Sequence, residues 1–275
     1  LIDTDFEILQ WMLVQIEKVS DELKYLGLSR MMSDFHRAIK LELNFSLEAN
    51  NLERLKSNIE NIDKDKILKI PRCYREYSTD KILVMEFLDG IAFNQLKKEQ
   101  ITPVVTKNLL TCVQMFMHTL LSDGFFHADL HGGNFFLMKN NQIGLIDFGS
   151  VGTLSKKNRS SLVGILYSMV NYNFDNLILE FIDVAEYDKI PNIQQLVRST
   201  EEVLSPYIGL SVNQLNFSDL MKTTIGNMAK HQIYLPREWS IIFRAITTLD
   251  GVGRSLGLDI NVFNFIMLKE NACCQ

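Results

Sequence analysis

Three side chains that end in hard oxygen atoms, Asp129, Asn134 and Asp147, lie within residues 124–152, GFFHADLHGGNFFLMKNNQIGLIDFGSVG. Hard divalent cations take carboxylate and amide oxygens as ligands. Phosphoryl transfer asks little covalent chemistry of a protein. It requires cations held against the phosphates and a nucleophile held in line. Asp129 and Asn134 share one loop. Asp147 follows two short apolar runs, residues 135–138 and 143–146, and the Asn140-Asn141 connection between them reads as a hairpin turn. A hairpin there folds the chain back and brings the three side chains to one place. Gly149, directly after Asp147-Phe148, frees the backbone to turn away. His-Ala-Asp or Asp-Phe-Gly alone is a common turn sequence. The whole set, His127-Ala128-Asp129, Asn134, a hairpin and Asp147-Phe148-Gly149, matches the order and spacing of a kinase catalytic loop followed by its metal loop.

These loops need elements to position them. Thr102-Pro103 is a helix start, an N-cap with proline at the first helical position. The helix it opens is apolar nearly all round and is expected at the centre of the core, with Gly124 ending it. Ser155 is the cap of the next helix, and from there to Gln275 only helices are expected, with breaks near residues 187–191, 206–209, 234–236 and at Gly257. Upstream, Asp5 is expected to cap a helix reaching Leu26, ended by Gly27. A second is expected from Ser29 to Leu55, with Phe35, Ile39 and Leu43 as its apolar stripe. Residues 67–77 and 81–87 read as two strands around a Ser78-Thr79-Asp80 turn. Leu88-Asp89-Gly90 breaks that pattern and marks a boundary. The expected fold is α+β and mainly helical, with two lobes: residues 1–88 form a small, incomplete N-lobe and residues 89–275 a large helical C-lobe.

With 275 residues, 47% of them apolar, the chain can bury a sizeable core. The net charge of −5 and the lack of a basic stripe argue against nucleic acid as a partner. Four cysteines, Cys73, Cys112, Cys273 and Cys274, show no metal-binding spacing and fit a reduced, intracellular protein. The longest apolar stretch, residues 109–121, carries Gln114 and His118 and falls short of the ~18 uncharged residues of a membrane span. Met115 and Met117 read as core filler, His36 and His118 as structural histidines, and Arg244 with Asp250 as an ion pair.

The stretch HADLHGGN followed by DFG resembles the UbiB/ADCK atypical kinase family. Glu42-Leu43-Asn44-Phe45 with Glu48-Ala49 and Asn50-Asn51 resembles that family's ExD helix. Residues 83–90, LVMEFLDG, resemble its hinge, and residues 235–252 its C-terminal helical region. The resemblance implies ATP and Mg²⁺ as cofactors. It makes Asp129 the catalytic-loop aspartate, and Asn134 and Asp147 the magnesium ligands. His127 and His131 enter as motif members, His131 with an orienting role. Glu48 would pair with the lysine of the third strand, and Glu42 opens the ExD motif. Glu86, Phe87 and Leu88 would meet the adenine, with Met85 guarding the pocket behind. It further implies support of ubiquinone biosynthesis or membrane-lipid handling, a lipid or quinone-related partner, proteins of a biosynthetic complex, and association with a bacterial or mitochondrial inner membrane. Three departures stand out. Asn44 replaces the ExD aspartate, Leu130 and Gly132 replace prolines, and the upstream lysine and alanine-rich nucleotide loop are not in this chain. An N-terminal truncation and an inactive isolated fragment are therefore expected.

Few residues separate Gly149 from the Ser155 cap, and no Ala-Pro-Glu-like triplet follows. A platform for an extended peptide substrate is not expected. Phosphorylation of a small molecule or lipid, or ATP hydrolysis coupled to a conformational step, fits this stretch. Two alternatives stay open: an aminoglycoside- or choline-kinase-like phosphotransferase, and a nucleotide-sensing scaffold without turnover.

Overall fold

The computed structural model describes residues 2–19, 28–210 and 216–255. Two N-terminal helices, α1 (Ile2–Val19) and α2 (Leu28–Glu42), pack against each other. Phe6 of α1 stacks on His36 at 4.4 Å and meets Phe35 at 5.8 Å. Asp5 lies inside the first turns of α1 rather than at its cap. Ile8, Met12 and Ile16 recur at helical spacing as expected, but they stay exposed. Gly27, Gly257 and the Cys273-Cys274 pair lie outside the described residues.

The single helix expected from Ser29 to Leu55 is two. Asn44 stops α2 and caps α3 (Phe45–Glu60), its side-chain oxygen accepting from Ser46 N at 3.2 Å. Asparagine competes with helical hydrogen bonding mid-helix and satisfies orphan N–H groups at an N-cap. Periodicity alone does not show that break. Ala49, Leu52, Leu55 and Ile59 form the buried face of α3.

The two long strands expected at 67–77 and 81–87 are largely absent. Only β1 (Leu68–Lys69) is a named strand there. Asp63 launches it: its carboxylate accepts from Ile67 N at 2.9 Å and Leu68 N at 2.8 Å. Residues 72–86 still turn back as a hairpin, through Tyr74 N to Val84 O, Glu86 N to Arg72 O and a Cys73–Met85 bridge. The next strand, β2 (Gly90–Ala92), falls on residues read as a breaker. Its antiparallel partner is β4 (Phe135–Met138), which also pairs with β5 (Ile143–Leu145). β1 joins β5 in parallel, so the sheet order is β1-β5-β4-β2 and its strands come from both sides of Leu88-Asp89. The β4–β5 hairpin turns at Asn141, whose φ of 63° suits asparagine.

α4 (Pro103–His118) carries the expected Thr102 cap, accepting from Val105 N at 3.3 Å. Its core face is Val105, Leu109, Cys112, Val113, Met115, Phe116 and Met117, while Gln114 and His118 face outward. The helix then widens into a π turn at Thr119–Asp123 and stops at Gly124, φ 65°. A Cβ on Gly124 would stand 2.6 Å from Leu154 O, so only glycine fits. β3 (Phe125–His127) follows and pairs antiparallel with β6 (Val151–Thr153). Gly152 lies over the Phe126 ring, where a Cβ would come within 2.2 Å. The rest is helical: α5 (Lys156–Val170), α6 (Phe174–Val184), α7 (Ile193–Leu204), α8 (Phe217–Lys230) and α9 (Arg237–Ser255), with Ser155, Asn173, Asn192 and Asn216 capping the first four. Trp239, Phe181 and Ile165 lie in the same core as Phe135 and Phe148. Asp250 pairs with Arg254 at 2.9 Å, not with Arg244; Arg244 donates to Ser150 Oγ at 3.3 Å.

Candidate functional site

The loop expected to carry the catalytic aspartate, residues 128–134, leaves the end of β3 and enters β4. The loop expected to carry a metal ligand, residues 146–150 and called the metal loop for that expectation, leaves β5 and enters β6. The two loops are stitched together by backbone. Ile146 N donates to Asn134 O at 3.0 Å and Ala128 N donates to Ser150 O at 3.0 Å, while Asn134 N donates to His131 O at 2.9 Å within the first loop.

His127 sits between them, 1% exposed. Its Nδ1 accepts from Asp129 N at 3.1 Å and its Nε2 lies 2.6 Å from Asp147 O. An acceptor at Nδ1 assigns the ring proton to Nε2, which then donates to the carbonyl of Asp147. One neutral imidazole thus fixes the backbone of both aspartates. Burial holds its pKa below the usual histidine value, although the Asp147 carbonyl and the charges of Asp147 and Asp129 pull the other way.

Each oxygen donor is prepared differently. The Asn134 side chain is buried and its Nδ2 donates to Asp129 O at 3.0 Å, which leaves Oδ1 as the amide atom without a hydrogen bond. Asp147 stands at φ 64°, and its Oδ1 accepts from Gly149 N at 3.1 Å, while Oδ2 has no hydrogen bond among the described residues. Among the described residues the Asp129 carboxylate accepts no hydrogen bond and forms no ion pair. Among the described residues no three His, Cys, Asp or Glu side chains cluster to hold a metal. Two carboxylates and one amide oxygen, none of them committed to a cationic side chain, fit a hard cation such as Mg²⁺.

Glu48 and Asn51 of α3 reach the metal loop from the other side. Phe148 N donates to Glu48 Oε1 at 3.0 Å and Asn51 Nδ2 donates to Phe148 O at 3.0 Å. Burial pushes the Glu48 carboxyl up, the Phe148 N–H pulls it down, and the Asp147 charge pushes it up again. His131 is exposed, and its Nδ1 accepts from Gly133 N at 3.0 Å. Glu42 ends α2, and its side chain lies outside the described residues.

At the hinge, Met85 is half-buried against the core and Leu88 is buried. Glu86 forms an ion pair with Lys69 at 2.7 Å, which holds its carboxyl below the ordinary value. Glu86 N is taken by Arg72 O, while Glu86 O and Leu88 N carry no backbone hydrogen bond among the described residues. An adenine needs one acceptor and one donor. Phe87 between them is 87% exposed. The residues that sequence reasoning gave no role are Asn51 and Asp63. Their signal is visible only once α3 is known to face the metal loop and Asp63 the start of β1.

The chain matches the model of the ABC1 atypical kinase-like domain over residues 1–181 and that of the UbiB helical domain over residues 200–261. It is 27% identical over 223 residues to ACTIVITY OF BC1 COMPLEX KINASE 1, chloroplastic, of Arabidopsis thaliana, covering 81% of this chain and 32% of that protein. It is 28% identical over 233 residues to the Synechocystis protein slr0889, covering 82% and 57%. The chain thus spans a third to about half of these relatives. The solved complex of Rv3197 with erythromycin from Mycobacterium tuberculosis superposes with a TM-score of 0.62 at 19% identity, covering 95% of this chain and 66% of that one. That likeness concerns the fold, a kinase-like bilobal α+β fold rich in helix. With the ABC1 model matching well over half of its residues, the chain belongs to the ABC1 atypical kinase-like family.

Proposed function

We propose that this chain carries the magnesium and adenine contacts of an ATP-dependent atypical kinase or ATPase that acts on, or is coupled to, a membrane lipid of the quinone class. The observation that carries the reading is the single buried His127 ring, bonded at once to the backbone of Asp129 and Asp147. Such a bridge joins the two loops at the backbone of their aspartates.

In this reading Asn134 Oδ1 and the Asp147 carboxylate hold the cation, which when bound supplies neutralisation of charge on the phosphates. Asp129 orients an acceptor hydroxyl or water and takes its proton on a carboxylate oxygen. Asn134 Nδ2, bonded to Asp129 O, keeps the two parts of the loop in register. Glu86 O and Leu88 N receive the adenine edge. The acceptor is small or lipidic, because the chain after Gly149 is consumed by β6 pairing with β3 and reaches the Ser155 cap past Leu154 alone. No described helix is long and apolar enough to cross a membrane. Association with an inner membrane and with proteins of a lipid-biosynthetic complex is accordingly part of the proposal, resting on family likeness.

The test is nucleotide binding by the full-length protein with and without Mg²⁺, wild type against Asp147→Asn. The expected outcome is Mg²⁺-dependent affinity in the wild type, lost in the variant. Equal affinity in the two proteins would remove the reading.

A further inference from the structure

We propose that Asn51 is a positioning residue which, with Glu48, clamps the Asp147-Phe148-Gly149 turn from α3. The proposal deepens the metal-site reading and rests on it. Phe148 is 0% exposed, and its ring meets His127 edge-on at 5.9 Å. Buried backbone N–H and C=O groups require partners. Among the described residues neither group of Phe148 finds one in the main chain. Its N–H goes to Glu48 Oε1 and its carbonyl accepts from Asn51 Nδ2, both at 3.0 Å and from residues about a hundred positions away. Glu48 and Asn51 are one helical turn apart and so share a face of α3.

The residue before Phe148 is where the clamp matters. Asp147 is a non-glycine residue at φ 64°, a conformation that persists only where the surroundings impose it. His127 fixes its carbonyl and Gly149 N its Oδ1, but neither bonds to Phe148 between them. Glu48 and Asn51 do. The same helix is tied to the hinge hairpin: Arg75 donates to Glu53 at 2.8 and 2.7 Å and to Asn50 Oδ1 at 2.6 Å. α3 therefore joins the hairpin bearing the adenine contacts to the turn bearing the metal ligand.

The experiment uses the full-length protein with Asn51→Leu, which keeps the bulk and loses the donor, and Asn51→Gln, which keeps the donor. Asn51→Ser, too short to reach, repeats the Leu arm should Leu disturb packing. Two quantities are read: amide hydrogen exchange across residues 146–150 without nucleotide, and the Mg²⁺ concentration that half-saturates ATP binding. Losing one hydrogen bond predicts about tenfold faster exchange and about tenfold more Mg²⁺ for Leu and Ser, with Gln within about threefold of wild type. ATP affinity in EDTA stays unchanged. Exchange that ignores Asn51, or losses equal with and without Mg²⁺, would overturn the clamp. A wild type with no Mg²⁺ dependence whose exchange still follows Asn51 would uphold the clamp and remove the metal reading instead.

Discussion

Between residues 125 and 153 polar groups are answered from far along the chain: His127 reaches Asp147, and Glu48 and Asn51 reach Phe148. Between residues 72 and 91 the chain is held by a few hairpin bonds and surface ion pairs, and it shows Tyr77, Ile82, Phe87 and Ile91 to solvent. The region from 125 to 153 is held by many contacts within this chain, whereas the hinge region is an edge. The stability of the first should therefore fall sharply when a single group is removed, and that of the second should not.

Four substitutions break or sharpen this contrast. The largest effect is expected for Phe148→Ala, which empties a fully buried aromatic position under the metal loop. Chemical denaturation should show a loss of about 3–5 kcal/mol; a loss as small as that of a surface residue would erase the contrast. Next is Asp63→Ala, which strands two donors at the entry to β1 and should cost roughly 2–4 kcal/mol in the same assay.

The third concerns pH. Burial depresses the folded-state pKa of His127, so on acidification the unfolded chain takes up a proton that the folded one refuses. Stability is then fully present above the unfolded value of about 6.5 and falls as pH drops below it. Asp129, Asp147 and His131 face the ring; the two carboxylates favour its charge and His131 opposes it. Glu48 has the opposite sign: its raised carboxyl costs stability as pH rises above its ordinary value of 4.5. Melting temperature measured from pH 7 to pH 5 should fall in the wild type and fall less in His127→Gln. The smallest effect is expected for Phe87→Ser at the hinge, within about 0.5 kcal/mol of wild type by denaturation.

The legibility of the sequence follows the same division. The β4–β5 hairpin, the Thr102 and Ser155 caps and the order of Asp129, Asn134 and Asp147 are local signals, and each reads directly from residue type and spacing. The break inside residues 29–55 and the reduction of the strands at 67–77 and 81–87 are not legible from spacing, because tertiary contacts decide them. Asn44 is a cap only because the chain turns there, with Phe45 N bonded to Asp80 O. β2 exists because β4 lies beside it, despite a Leu-Asp-Gly that reads as a breaker. Arg244 and Asp250 are both polar and near in sequence, yet α9 aims them at Ser150 and Arg254. Asn51 enters the sequence reading only as a member of the ExD-like stretch, and its contact with Phe148 joins residues 97 positions apart.

The most direct test of the magnesium site is Mn²⁺ binding by electron paramagnetic resonance, in the full-length protein with a non-hydrolysable ATP analogue, comparing wild type with Asn134→Ala and Asp147→Asn. The account predicts that the wild type immobilises the ion in an oxygen-rich environment and that each substitution weakens this binding by about tenfold or more. Mn²⁺ bound equally tightly in all three proteins would contradict it.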